Sequence, residues 1–177
     1  MLYLSVHDLV WLNARICGEE QPFNYELLEE AVAAQYGYGD STDVLGQGSD
    51  FVVALAHGRP FASGNLRTAL VALCVYLQGN GYTVRAPGDP ARADVGRMLL
   101  DIGDGRADGS AIVEALAGET GEIPWRHAPT VTGSNQIVMN RASVVQTIER
   151  EAALLSELAP DDGPIPGRVF VRALHRD

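Results

Sequence analysis

Lysine is missing altogether: all 13 basic residues of the 177-residue chain are arginines, against 23 acids, for a net charge of −10. A chain this acidic lacks the basic surface that neutralises a run of phosphates. That argues against a general nucleic-acid binder, while a local basic patch stays open. The lysine deficit itself fits a bias of genomic base composition. Its chemical consequence is that any phosphate held by a basic side chain here is held by the planar arginine fork. Cysteine is scarce too. Cys17 and Cys74 form no CxxC pair and have no histidine at ligand spacing. Cys74 lies inside an apolar helical pattern, where a free thiol packs as a small hydrophobe. The start, Met1 to Ser5, has neither a basic region nor a long apolar stretch, so no secretory leader is expected. Together these features point to a reducing cytoplasm. Long apolar runs are also absent. The longest, Ala69–Leu77, falls far short of the ~20 residues a bilayer demands, so no membrane partner is expected. His127 and His175 stand without metal-ligand spacing.

What is present is the material of one globular domain: 46% apolar and 20% charged residues. Ser5 and Asp8 suggest a capped start for a first helix, whose apolar positions Val6, Leu9, Val10, Leu12 and Ile16 run to Gly18. A second helix is predicted from about Asn24 and a third up to about His57, with Gly46 and Gly48 weakening its early part. Residues 37–41 read as a loop or short hairpin. The fourth helix, from Leu66 to about Leu77, is apolar on nearly all sides and belongs at the centre of a bundle. Two weaker helices follow, about Pro90–Ile102 and Gly109–Ala117. Pro124, Pro129 and the β-branched residues from Val131 to Val138 suggest a hairpin. Ser143–Leu158 reads as one amphipathic helix, Asp161 to Pro164 as a break, and Arg168–Arg172 as a short strand. The expected architecture is therefore mainly α: a helical domain over residues 1–120, and a small mixed extension over 121–177 packed on or completing it.

One turn carries the chemistry. Gly64-Asn65-Leu66-Arg67 enters the apolar fourth helix, whose first N–H groups have no intrahelical partners and whose dipole favours negative charge. Gly64 lets the backbone approach a ligand, Asn65 can cap the helix or offer its amide, and Arg67 adds a fork suited to phosphate. The same residues also make an ordinary helix cap, with Arg67 paired to one of the many acids.

The stretch Pro60-Phe61-Ala62-Ser63-Gly64-Asn65-Leu66-Arg67-Thr68-Ala69 resembles the signature of the Fic/Doc (death on curing) family, His-x-Phe-x-(Asp/Glu)-(Gly/Ala)-Asn-x-Arg. Phe61, Gly64, Asn65 and Arg67 match it. The close of the following helix, Asn80-Gly81-Tyr82, and the segments Leu4–Asp8 and Leu27–Ala31 are similar to the family's as well, so the resemblance spans residues 3–120. It implies a Fic/Doc-like helical bundle around a buried central helix. It also implies a loop that binds nucleotide phosphates, ATP or another nucleotide, and transfer of AMP or phosphate to protein hydroxyls. In that scheme the motif histidine is the general base and the motif acid holds Mg²⁺.

The sequence departs at both chemical positions. Arg59 stands where the family has histidine, and a guanidinium accepts no proton at neutral pH. Ser63 stands where the family has its acid, which puts Mg²⁺ in doubt. Arg59 has two readings: turned toward the anion site, or in solvent or paired with Asp40 or Asp43. The resemblance then implies a phosphate- or nucleotide-binding set of Arg59, Phe61, Ser63, Gly64, Asn65 and Arg67, with weak or no transfer and a regulatory or toxin–antitoxin-like role. Alternatives are an active transferase using His57 as substitute base, and a plain interaction module with Arg59 and Arg67 paired structurally. Thr147 and Glu151 are similar to an inhibitory-helix pattern found in some Fic proteins, although the same spacing arises on any solvated helix face. A protein target, an antitoxin-like partner and a homo-oligomer stay open.

Overall fold

The computed structural model describes residues 2–36, 43–121, 139–163 and 167–171. The described residues are mainly helical with one two-stranded sheet. The element order is α1 (Val6–Cys17), α2 (Tyr25–Ala33), α3 (Val44–Ala56), α4 (Asn65–Gly79), β1 (Tyr82–Val84), α5 (Val95–Gly103), α6 (Ser110–Leu116), β2 (Ala117–Thr120), α7 (Arg141–Arg150) and α8 (Ala152–Leu158). Helix α1 starts as its composition predicts. Ser5 and Asp8 close a reciprocal capping box, and Gly18 ends the helix at φ 79°. Asn24 and Asp43 cap α2 and α3 in the same local way.

Every residue of α4 except Arg67 and Gln78 is buried. The helix packs against α1, α3, α5, α7, α8 and β1. Gly48 on α3 makes the closest approach possible: a Cβ there would lie 3.3 Å from Leu73 and from the Tyr76 ring. Tyr76 then stacks near Phe51, at 5.8 Å between centroids, and donates its hydroxyl to Gln47 at 3.2 Å. The N-terminal segment is laid onto this core by two carboxamides. Asn80 brackets the backbone of Leu2 and Gln35 that of Leu4, so both leucines are buried with their polar groups satisfied.

Several expectations are corrected. The helix predicted over Pro90–Ile102 is a 3-10 turn at Pro90–Arg92, started by the Asp89 cap, followed by a separate α5 from Val95. Residues 82–84 and 117–120 pair as an antiparallel sheet that periodicity did not reveal. Ser143–Leu158 is two helices that break at Glu151 (φ −88°, ψ 2°). Of the strand expected over Arg168–Arg172, Val171 forms a single bridge to Phe23 among the described residues, and Arg172 lies outside them. The loop at 37–41, the hairpin at 124–138, and His127 and His175 lie outside the described residues. No helix among the described residues is long and apolar enough to cross a membrane.

Burial pushes the Cys74 thiol up to about 12, so it stays protonated and unreactive near neutral pH. Native protein treated with iodoacetamide should be alkylated at half-buried Cys17 alone, with Cys74 joining only after unfolding in urea. Peptide mass mapping checks this; modification of native Cys74 at the rate of Cys17 would contradict the burial.

Candidate functional site: the turn entering helix α4

The chain leaves α3 at His57 and passes through Arg59 in the left-handed region, at φ 47°, which is unusual for a residue with a side chain. Arg168 steadies this bend by donating to the carbonyls of Gly58 and Arg59. The bend sends the Arg59 guanidinium toward the end of α5, where it lies 3.7 Å from Asp104. The acid shown beside it is thus one that sequence proximity did not suggest. Asp43 accepts from the N–H of Leu45 at the start of α3, and Asp40 lies outside the described residues.

His57 is exposed, and its Nδ1 faces the carbonyl of Gly103 at 3.3 Å. His57 and Arg59 thus both stand against the 103–105 corner. Beyond them the backbone is held as a ribbon: Asn24 N–H donates to Pro60, Ala62 N–H donates to Pro22, and Phe23 pairs with Phe61. Phe61 is buried, its ring 6.3 Å from that of Phe23.

Asn65 is not the cap of the helix; its carboxamide turns back onto Phe61. Its Oδ1 accepts from the N–H of Phe61 and its Nδ2 donates to the carbonyl of Phe61, both at 2.8 Å. This ring of two bonds closes the turn and places Gly64, at φ 77°, in the cap position. A glycine cap has no side chain to bond the first turn. The N–H groups of Leu66 and Arg67 are therefore left facing outward for another acceptor.

That acceptor is Asp162, from the end of the chain. Its Oδ1 accepts from Leu66 N–H at 2.8 Å, and its Oδ2 accepts from Arg67 N–H at 3.1 Å and from Arg67 Nε at 3.2 Å. Its own carbonyl receives Gly64 N–H at 3.2 Å and the Ser63 hydroxyl at 3.5 Å. Asp162 is 2% exposed. Burial raises its pKa, and the bonds from Leu66 and Arg67 pull the other way without reversing the shift. The turn holds an anion, as helix-end physics requires, and the anion is a side chain of the same molecule.

Two residues of α1, one helical turn apart, support this turn. Asn13 donates through Nδ2 to Ser63 O at 2.9 Å and to Thr68 Oγ1 at 3.0 Å. It is 1% exposed, and its Oδ1 has no partner. Cys17 Sγ lies 3.9 Å from Ser63 O and from Arg67 Nη2. Burial is the main cause raising the pKa of this thiol, opposed by the nearby Arg67. Sequence reading missed Asn13, Cys17 and Asp162. Asn13 is the one with a signal, as an amide standing between apolar positions of α1.

Thr147 and Glu151 do not lie on a solvated face; they are 3% and 1% exposed. Thr147 donates to Ser143 O and Gln78 Oε1, near the far end of α4. Glu151 pairs with buried Arg92 and accepts from Arg150 Nε at 3.2 Å. Arg92 also donates to the carbonyl of Arg85 at 2.7 Å. The carboxylate of Glu151 is thus engaged away from the turn.

Among the described residues, no group of three His, Cys, Asp or Glu is arranged to hold a metal ion. Two clefts lie elsewhere. One of about 490 Å³ is lined by Gln78, Thr83, Gln146 and Arg150, and one of about 510 Å³ by Asp89, Arg92, Arg97 and Glu157. Neither includes a residue of the turn. No family model, no curated protein and no solved structure matches the chain.

Proposed function

We propose that the protein is a Fic/Doc-type relative whose motif turn binds an anionic group, a nucleotide phosphate such as that of ATP, without transferring it. The observation that carries this reading is the convergence of Leu66 N–H, Arg67 N–H and Arg67 Nε, at 2.8–3.2 Å, on one buried anionic group. Three donors in that arrangement suit a phosphate oxygen as well as a carboxylate. Transfer needs more. With Arg59 in place of a base and directed to Asp104, and Ser63 in place of a metal-binding acid, nothing at these positions activates a hydroxyl or holds Mg²⁺. General base catalysis alone is typically worth about 10²–10⁴-fold. The role that fits is regulatory: a nucleotide-sensing or antitoxin-like protein acting through a protein partner in the cytoplasm.

The test is calorimetric titration with ATP, with and without Mg²⁺, beside Arg67→Ala. Expected is binding in the millimolar range or tighter that ignores Mg²⁺ and disappears with Arg67→Ala. Affinity unchanged by Arg67→Ala would sink the reading. So would robust AMP or phosphate transfer by the unaltered protein, and its loss with His57→Ala would mark an active transferase with a substituted base. Gain of transfer in the double variant Arg59→His, Ser63→Asp would support the ancestry.

A specific observation favours a second reading, a non-catalytic interaction module. Both arginines of the turn have intramolecular partners, Arg59 with Asp104 and Arg67 with Asp162. If Arg67→Ala alters neither nucleotide affinity nor partner binding, this reading stands in place of the first.

A further inference from the structure

We propose that the cleft at the far end of helix α4 binds a small monocarboxylate that also carries hydroxyl or amide groups. The site is separate from the motif turn and does not depend on how that turn is read. Gln78, in the last turn of α4, stands about 20 Å along the helix from Asn65.

The chain leaves α4 through Asn80 and Gly81 into β1, and α7 packs on α4, with Thr147 bonded to Gln78. The cleft of about 490 Å³ between these elements is framed by Gln78, Thr83, Ser143, Gln146, Thr147 and Arg150. That volume lies within the range of small-molecule sites. In a protein of net charge −10, none of the described lining residues is acidic, and Arg150 alone among them is charged. Around it stand three hydroxyls and two carboxamides, groups that both donate and accept. Such a lining suits a ligand with one negative charge and several polar groups.

The charge balance behind the cleft points the same way. Glu151 accepts from Arg92 Nη1 at 3.1 Å and from Arg150 Nε at 3.2 Å. Two guanidiniums thus share one carboxylate, with the Arg92 and Glu151 side chains 5% and 1% exposed. Arg150 Nη2 is buried and has no hydrogen-bond partner. The neighbouring Cys74 thiol, buried and protonated, is only a weak acceptor. Arg150 also borders the second cleft, whose other acids are engaged or solvated: Asp89 accepts from Ala91 N–H, Asp94 lies 3.7 Å from Arg97, and Glu157 is exposed. An unpaired N–H on a buried cation is costly, so an anion beside Arg150 is favoured.

A carboxylate fits better than a phosphate. The fork of Arg150 has already given its Nε to Glu151, and the cleft shows no second cation among its described residues. The start of α7 does not replace one, because Asn140 Oδ1 already accepts from the N–H groups of Ala142 and Ser143. A phosphate dianion would be left with half its charge unmatched.

The experiment is a proton–nitrogen NMR titration of the full chain at constant ionic strength. The probes are sodium L-lactate, sodium D-gluconate, inorganic phosphate and, as a neutral control, D-glucose. Expected are saturable shifts with the two carboxylates, gluconate binding the tighter, at the amides of Gly81, Thr83 and Gly121 and at Arg150 Nε. Glucose should leave these signals still, and phosphate should bind more weakly than gluconate. Arg150→Ala should abolish the response. Gln146→Glu, at an exposed position of α7, places a negative charge at the cleft and should weaken gluconate about threefold or more. Should Arg150→Ala fail to fold, Gln146→Glu carries the test. No shift at tens of millimolar carboxylate would overturn the site. So would a response that survives both variants, or one that glucose reproduces. Phosphate binding as tightly as gluconate would overturn the assignment to carboxylates. None of these outcomes bears on ATP binding at the motif turn, which Arg67→Ala tests separately.

Discussion

Replacing Glu151 by alanine should destabilise the protein by about 3–5 kcal/mol, the usual cost of stripping one partner from a buried ion pair. Glu151 is 1% exposed and accepts from both Arg92, itself 5% exposed, and Arg150. Without it, two guanidiniums face each other across a buried space, and Arg150 already has one nitrogen without a partner. Only Arg92's bond to the Arg85 carbonyl would remain to hold that side chain. At ~2–4 °C per kcal/mol for a chain of this size, the melting temperature should fall by roughly 6–20 °C. Thermal melts of Glu151→Ala at fixed pH and protein concentration check this. A loss under about 1 kcal/mol would mean that water reaches the pair. The companion experiment replaces the pair by apolar residues, Arg92→Met with Glu151→Leu. That double variant should recover most of the loss, because desolvating two charges offsets much of their attraction.

Gly64→Ala should cost about 2–4 kcal/mol, and the cost has two separable causes. At φ 77° an L-residue is disfavoured by roughly 1–2 kcal/mol. The added methyl would also come within 2.5 Å of Cys17 Sγ and 3.0 Å of Asn13 Nδ2. Cys17→Ala removes the nearer obstacle. In a double-mutant cycle followed by urea denaturation, Gly64→Ala should therefore be less costly, by about 1 kcal/mol, in the Cys17→Ala background. Equal cost in both backgrounds would assign the whole effect to the backbone. The same substitution should weaken any anion binding at the turn, since Leu66 and Arg67 lose their aim when Gly64 shifts.

The parts of the fold that could be read from the sequence are those written within a few residues. Ser5 and Asp8 marked one helix start, and Asn24 marked another, because a cap needs only a side chain and an N–H two or three positions away. The unbroken apolar run of α4 marked a helix buried on all sides. The sheet between residues 82–84 and 117–120 was not legible, since three- and four-residue strands carry too short a pattern to separate from helix ends. The pair at Arg92 and Glu151 leaves one trace in the sequence. Val144, Thr147, Leu155 and Leu158 form a stripe at helical spacing, and Glu151 occupies the stripe where an apolar residue belongs. A carboxylate in such a position calls for a buried cation, but nothing local says which arginine supplies it.

The candidate site divides along the same line. A Gly-Asn turn before a long apolar helix, followed by an arginine, puts unpaired N–H groups and a positive fork at one helix end, where negative charge is favoured. Those are properties of one short segment and its helix, and the sequence contains them whole. Which anion arrives was decided by the tertiary structure, which brings Asp162 across 96 residues to Leu66. Only there was Arg59 sent to Asp104 and Asn13 left with an unmet acceptor. The physical reason is the range of the interactions. Backbone donors and dipoles are laid down by neighbours in the chain, whereas a charged side chain reaches a distant partner only once burial of the core has fixed where every segment runs.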